Sequence, residues 1–449
     1  MMSLSAAAVF ADGRTSGGDP VFTGVSTDTR TLQPGDLFVA LRGERFDGHA
    51  FLEQARAAGA VAAMVDGKHQ GTPPVPVAVV DDTRLGLGRL AAGWRQRFSP
   101  VLIAVTGSNG KTTVKEMLAA ILRADLGEQA VLATSGNLNN DVGLPLTLLR
   151  LRDRHRCCAI ELGMNHKGEI AYLARIARPS VALVNNAQRE HLEFLNSVEE
   201  VAAENASVYA ALPADGVAVV NADDAYVALF RKAAGARRVV DFSLGTAAVS
   251  GGYALKNLSS EIRIRTAEGE TQATLAIPGL HNVRNALAAA ACAYAAGVGP
   301  KSIGEGLTAF RPYTGRLQVK QAKNGATLID DTYNANPDSV RAAIDVLASC
   351  AAPTALVLGD MGEVGAQGEA LHREVGSYAF SKKITNLYAI GEATKHTVEA
   401  FGEGGRHFER LEDLVSSVEG SSILVKGSRF MRMERVVAAL TGNATVGGH

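Results

Sequence analysis

The chain has 449 residues, 47% hydrophobic and 20% charged, with a formal net charge of −1. That length exceeds one ordinary core and predicts about three domains. The near-neutral balance excludes a broad nucleic-acid or membrane-binding surface, and the most apolar stretch, Asn285 to Val298, is too short to span a bilayer.

The first region is read as residues 1–99. Leu4 to Ala11 is apolar, but no Lys or Arg precedes it and Asp12 follows, so it reads as folded protein and not as a signal peptide. Pro34-Gly35-Asp36 signals a turn before a strand, Leu37 to Leu41. A polar, glycine-rich stretch from Arg42 to His49 follows, then a helix pattern (Phe51 to Ala58) and a strand, Val61 to Val65.

The second region, residues 100–312, alternates helices with short apolar strands: Val101–Val105, Cys158–Ile160, Val181–Val184 and Val217–Val220. Unbroken apolar strands separated by helices predict a parallel sheet covered on both faces. Glu261 to Arg265 alternates strictly and Thr271 to Ile277 answers it across a Glu-Gly turn, which predicts an antiparallel hairpin beside that sheet. The third region, residues 313–449, repeats the rhythm at Ala326–Ile329, Ala355–Leu358, Leu387–Ile390 and Ile423–Val425, and Thr441 to His449 reads as a frayed tail. The fold class is therefore α/β with three domains. Cys157, Cys158, Cys292 and Cys350 have no metal-ligand spacing and sit among apolar neighbours. They read as buried hydrophobes in a reducing, cytoplasmic compartment.

Several strands run straight into polar residues: Glu161, Asn185-Asn186, Asn221, Asp330-Asp331 and Asp360. Ligands of open α/β sheets bind at such carboxyl ends, so two sheets decorated this way predict a site between two domains. Simple strand capping is the rival explanation, and for Asn221 it is preferred. The strongest motif is Thr106-Gly107-Ser108-Asn109-Gly110-Lys111-Thr112-Thr113, set between the strand Val101–Val105 and a helix, Val114 to Leu122. Strand, glycine loop, lysine, hydroxyl and helix make a phosphate loop, whose amides from Gly107 to Thr113 wrap a nucleotide's phosphates. Lys111 is expected at the β/γ-phosphates and the Thr112 hydroxyl on Mg²⁺. Val105 stands where a generic P-loop has its first glycine.

This loop resembles the ATP loop of the Mur ligase family, which builds the peptide of the bacterial cell-wall precursor. The resemblance extends in order through Thr134 to Asn140 with Gly143 to Thr147, Glu161 to Ile170, Arg189-Glu190-His191-Leu192, Gly279 to Ala286, Gly315-Arg316 and Asp330 to Pro337. It implies a small N-terminal α/β domain that binds a UDP-substrate, a central P-loop ATPase domain with a small antiparallel addition, and a C-terminal Rossmann-like domain that closes over ATP. Motifs at Tyr333 to Ser339 and Leu358 to Glu363 look like those of the family's last-acting ligase. Its reaction makes an acyl phosphate from the terminal carboxylate of UDP-N-acetylmuramoyl-tripeptide and passes the acyl group to the amine of D-alanyl-D-alanine. No nucleic acid or membrane takes part, and a monomer is expected.

The resemblance also assigns residues. Lys111, Asn137, Glu161 and His191 are the expected catalytic group, with Asn137 orienting the carboxylate or the γ-phosphate. Thr112, Glu161 and His191 are the expected Mg²⁺ ligands. Asn282 is expected near the adenine, Arg316 at the phosphates and Asp331 at the ribose hydroxyls, while Asn285 shares a helix face with Asn282 and braces the loop. Ser26, Thr27, Asp28, Arg30, Gly43, Asp47 and His49 are expected around the UDP. Asn334, Asn336, Asp360 and Glu363 are candidates for gripping D-alanyl-D-alanine.

One departure stands out. Many members of the family carry a lysine about fourteen residues beyond the histidine, carbamylated into a carboxylate that helps bind magnesium. Here Asn205 occupies the matching position, and no lysine lies between Lys167 and Lys232. Either Glu204 substitutes as the anion, or the second ion is held with more water. A folylpolyglutamate synthase would lack the first region. A motor-type ATPase would show a strand ending in a Walker B aspartate. A non-catalytic nucleotide-binding module would not need Lys111, Glu161 and His191 together.

Overall fold

The computed structural model describes residues 1–43 and 46–442, so Glu44 and Arg45 of the polar stretch and residues 443–449 of the tail lie outside the described residues. Three large sheets organise the chain. The first runs Arg14–Ser16, Val77–Val80, Ala62–Asp66, Asp36–Val39, Gly24–Ser26, with every pair parallel except that of the edge strand Arg14–Ser16. Leu4–Ala11 forms a helix capped by the Ser3 hydroxyl, and it packs its buried Leu4, Ala7, Ala8 and Ala11 toward the helix Thr83–Arg95. That second helix joins the units: Trp94 Nε1 donates to Leu151 O at 3.2 Å, and its apolar face belongs to the same core as one side of the central sheet.

The central sheet has nine strands. Val131–Ala133, Cys157–Glu161, Val101–Thr106, Val181–Val184, Val217–Asn221 and Arg238–Ser243 are parallel neighbours in that spatial order. Along Val101–Thr106, Ile103 and Val105 face one core while Leu102 and Ala104 face the other, the period-2 signature of a doubly covered strand. The expected hairpin is present as Ser260–Thr266 and Gly269–Leu275, at the edge of the parallel strands. Val249–Leu255 pairs in parallel with Arg238–Ser243 through Phe242 and Ser243, then antiparallel with Ser260–Thr266, so the hairpin extends the same sheet. Polar and glycine residues in Val249–Leu255 hide that bridging strand from an apolar-run reading. The alanine-rich helix Leu280–Ala295 and the helix Lys111–Leu126 cover one face. Small side chains let Leu280–Ala295 lie close against the strands, and Ala286 to Ala293 are all buried.

The third sheet runs Gln318–Gln321, Thr327–Asp331, Ser422–Lys426, Thr354–Gly359, Asn386–Ile390, Gly405–Phe408, parallel except at Gln318–Gln321. Its helix Pro337–Ala348 starts at Asn336, whose side chain accepts from Ser339 N in a reciprocal capping box. No helix among the described residues is long and apolar enough to cross a membrane. All four cysteines are free, and burial pushes the Cys157 thiol up to about 11 and the Cys158 thiol to about 12.

Candidate active site

The carboxyl ends of the central and third sheets face each other, and the phosphate loop sits between them. Gly107 and Gly110 both adopt the left-handed region, with φ of 128° and 81°. A side chain at Gly107 would press on the amides of Asn185 and Asn186 at 3.0 Å, and one at Gly110 would meet Asn285 Oδ1 at 2.3 Å. The neighbouring strand end therefore fixes the loop. Ser108 N donates to Asn186 O, Asn109 N to Asn186 Oδ1, and the Asn185 side chain bridges Asn109 O to Asn285 Oδ1. Asn285 braces the loop as expected. Because Val114 makes the first intrahelical bond back to Gly110, the amides just before it remain free to meet an anion at the N-terminus of Lys111–Leu126. Thr112 and Thr113 are buried there.

The loop partitions two cavities, both lined by Asn109, Gly110 and Arg316. The larger, about 850 Å³, collects Lys111, Asn137, Glu161, His191, Asn334 and Asn336. Glu161 ends the strand Cys157–Glu161 and is 2% exposed. Its Oε1 accepts from Asn139 Nδ2 at 2.7 Å, while its Oε2 has no partner. A buried, unpartnered carboxylate oxygen beside a phosphate loop suits a hard cation, since Mg²⁺ takes one or two carboxylates and completes its shell with phosphate and water. Among the described residues no group of three or more His, Cys, Asp and Glu converges, so the protein alone does not form a closed metal cage. Asn137 is exposed on the cavity wall, and it is Asn139, two residues on in the same motif, that orients Glu161.

Lys111 is drawn back onto its own loop. Its Nζ donates to Gly107 O at 2.6 Å, Ser108 O at 3.0 Å and Glu190 Oε1 at 3.0 Å. Burial opposes the Glu190 charge, yet Lys111 and His191 outweigh it and hold its carboxyl below the usual range. His191 is in the left-handed region at φ 52° and joins two domains: Nε2 lies 3.4 Å from Glu190 Oε1 and Nδ1 2.7 Å from Glu363 Oε2. Burial disfavours its charged form, but the two carboxylates prevail and raise it to about 9. With no metal bound, a proton therefore occupies this imidazole at neutral pH; a metal ligand would have to be neutral.

Asn205 and Glu204, at and beside the position of the missing lysine, both bond within the protein. Thr106 Oγ1 donates to Asn205 Oδ1 at 2.7 Å, and Asn205 Nδ2 returns to Val201 O. Glu204 Oε1 accepts from Ile170 N at 3.0 Å, in the first turn of the helix Glu169–Ala177. One oxygen of Glu204, the first of the two alternatives for the missing anion, is thus engaged at that helix terminus.

The smaller cavity, about 350 Å³, holds Asn282, Asp331, Lys426 and Arg284. Asn282 Nδ2 donates to Pro278 O, and its Oδ1 accepts from Asn285. Asp331 is paired with Lys426 Nζ at 2.5 Å and accepts from Leu317 N, so the third sheet fixes its orientation. Arg316 stacks over Tyr333 with its guanidinium 3.9 Å from the ring centroid, and its Nη2 reaches 3.4 Å from Thr112 Oγ1. The third domain thus already touches the phosphate loop. Other links reinforce it: Asn336 Nδ2 donates to Asn109 Oδ1 at 2.9 Å, and Arg189 pairs with both Asp338 and Glu374.

The first-region candidates gather at the carboxyl end of their sheet, but they largely bind one another. Ser26 Oγ bonds the backbone of Asp28, and Asp28 holds the exposed Arg30. Thr27 is half-buried and Gly43 exposed. Asp47 caps the turn Gly48–Phe51 and contacts Arg42, while the buried His49 bonds Asp47 through Nδ1 and Asp66 N through Nε2. In the third domain Asn334 Oδ1 takes Ala335 N. Asp360 Oδ1 takes Thr394 N at the start of the helix Thr394–Phe401 and is absent from the larger cavity's wall. Arg84, Glu190 and Arg429 line that cavity without having been singled out. Glu190 flanks His191 in sequence, the one signal that could have found it.

Family models match along the chain: "Mur ligase family, catalytic domain" over residues 21–95, "Mur ligase middle domain" over 105–293 and "Mur ligase, glutamate ligase domain" over 315–429. The UDP-N-acetylmuramoyl-tripeptide–D-alanyl-D-alanine ligase of Escherichia coli (strain K12) is 41% identical over 456 residues, covering 99% of each chain. A crystal structure of MurF from Acinetobacter baumannii superposes with a TM-score of 0.91 at 34% identity, covering 98% of this chain and 99% of that one. MurF ligase from Thermotoga maritima in complex with ADP gives a TM-score of 0.80 at 25% identity, over 94% of this chain and 98% of that one.

Proposed function

The chain belongs to the Mur ligase family, and from that premise we propose that it joins D-alanyl-D-alanine to UDP-N-acetylmuramoyl-tripeptide with ATP. The products are UDP-N-acetylmuramoyl-pentapeptide, ADP and phosphate, a step of peptidoglycan precursor synthesis. The observation that carries this reading is the larger cavity: Lys111 and Glu161 of the central domain open onto it together with Arg84 of the first region and Arg429 of the third. A reaction that must bring a carboxylate, a triphosphate and an amine together needs such a three-sided enclosure.

In the first step a carboxylate oxygen bonds to the γ-phosphorus and the bond to the β-phosphate bridge breaks, releasing ADP. In the second the amine bonds to the acyl carbon, the carbon–oxygen bond to phosphate breaks, and the amine gives up a proton. The smaller cavity takes the nucleoside, with Asn282 at the base and Asp331, held by Lys426, at the ribose. The free amides at the start of Lys111–Leu126 meet the phosphates, and Lys111 leaves Glu190 and its own loop carbonyls to neutralise the transferring group. Arg316 completes the cationic side. Thr112, Glu161 and His191, once neutral, would hold Mg²⁺, which supplies positive charge to the phosphate oxygens. Asn137 reaches the incoming carboxylate. Residues 1–99 take the UDP end, 100–312 the ATP, and 313–449 the dipeptide, with closure shielding the acyl phosphate from water. We place it in the cytoplasm, where a reducing environment would keep its free thiols reduced, and expect it to act as a monomer.

The test supplies ATP, Mg²⁺, UDP-N-acetylmuramoyl-tripeptide and D-alanyl-D-alanine and follows ADP and the pentapeptide. ADP release should require both peptides. ATP hydrolysis indifferent to them would refute the ligase.

A further inference from the structure

Lys111 Nζ and Glu190 Oε1 lie 3.0 Å apart, with side chains only 14% and 12% exposed. Lys111 cannot grip phosphates while it holds Glu190 and the carbonyls of Gly107 and Ser108. When a nucleotide draws the lysine away, the carboxylate stays behind in the wall of the cavity. Removing one partner of a buried ion pair is strongly unfavourable unless another cation arrives. His191 cannot be that cation alone. Its Nδ1 faces Glu363, and only Nε2 approaches Glu190, at 3.4 Å. The nucleotide adds negative charge, and Glu161 lines the same cavity with Oε2 buried and unpartnered. Of the other two groups in contention, Glu204 has one oxygen on Ile170 N, and Asn205 is uncharged and bonded to Thr106 and Val201.

We propose that Glu190 is a counter-ion switch: it holds Lys111 while the phosphate loop is empty, and on nucleotide binding it exchanges that lysine for a magnesium ion shared with the nucleotide phosphates. The proposal rests on the nucleotide-binding part of the function above. It deepens that function by assigning a metal ligand of this chain's own, one that needs no lysine-derived carboxylate. The charge in the wall stays balanced throughout: one carboxylate on an ammonium before, the same carboxylate on a divalent cation facing phosphates after.

Two titrations on the full chain test it, comparing the natural protein with Glu190→Gln. The first measures ADP affinity by calorimetry in the presence of a chelator. The variant should bind ADP several-fold more tightly, because Lys111 no longer has to be pulled from a carboxylate. The second measures Mn²⁺ binding to the ADP complex by electron paramagnetic resonance. There the variant should bind the ion about tenfold or more weakly. Tighter metal-free ADP with unchanged Mn²⁺ affinity would reduce Glu190 to a tether of Lys111 and overturn the exchange; no change in either titration would overturn the switch altogether. Should Glu190→Gln fold poorly, Glu190→Asp keeps the charge and withdraws it by one methylene. It should also weaken Mn²⁺, and full affinity would again overturn the proposal. Neither titration reads peptide ligation. A protein that binds Mn²⁺ and ADP through Glu190 but joins no peptides would therefore refute the ligase and leave the switch intact, and the reverse result would do the opposite.

Discussion

In the central sheet Glu161 is 2% exposed and keeps one carboxylate oxygen without a partner; in the first sheet's loops His49 is 7% exposed and has both ring nitrogens engaged. Both are buried polar side chains near the carboxyl ends of parallel strands, where ligands of such folds bind. Leaving a buried polar atom unpaired costs about 1–3 kcal/mol. A fold retains that cost where a ligand completes the set, whereas a saturated residue such as His49 spends its bonds on the loop itself. Between these two residues, the state of satisfaction more than the residue type separates the group a ligand would complete from the one its own loop has used.

Four substitutions test this contrast. Glu161→Gln should lower ligation by roughly 100–1000-fold, as loss of a preorganised electrostatic group does, while its melting temperature stays close to that of the natural protein. A large fall in melting temperature would move Glu161 to the scaffold side. His191 stands between the extremes, buried yet charged. Its folded value of about 9 exceeds the ordinary 6.5, so its stabilisation is fully present below about pH 6.5 and disappears as pH rises through about 9, a loss of up to about 3 kcal/mol. Denaturant unfolding of the ligand-free protein at several pH values should show that decline, and His191→Gln should flatten it. A decline that persists in the variant would assign it to other groups.

His49→Ala comes next. It strips Asp66 N and Asp47 of their partner and should cost about 2 kcal/mol by urea unfolding, with KM for the UDP substrate little changed. A raised KM at undiminished stability would make His49 a ligand of the uracil or diphosphate after all. The smallest effect is expected at Asn336, whose side chain caps Pro337–Ala348. Asn336→Ala should cost about 1 kcal/mol, and a KM change confined to D-alanyl-D-alanine would show that its cap is secondary to substrate contact.

Local grammar made much of the molecule legible. Val181–Val184 is a strand over the range its apolar run indicates, Val101–Thr106 runs one residue longer at one end, and Ser422–Lys426 one residue longer at each end. Short buried strands announce themselves by continuous apolar side chains. Gly107 and Gly110 were legible for the same reason: the loop needs φ values that only glycine adopts freely. Val249–Leu255 was not, because glycines and exposed polar residues carry no apolar period, and its pairing is set by the strand that precedes it and the hairpin that follows.

The phosphate loop was readable from the chain alone, since its motif and its strand–helix setting are contiguous. The partners of the polar groups around it came from contacts between distant segments. One oxygen of Glu204 went to the start of Glu169–Ala177, and Asn139, to which the motif assigned no role, turned out to hold Glu161. Glu190 gained its place only when Lys111, seventy-nine residues earlier, folded back onto it. Hydrogen bonds and ion pairs are saturable and short-ranged, so which polar groups remain free for a ligand is settled only when all their competitors have been placed.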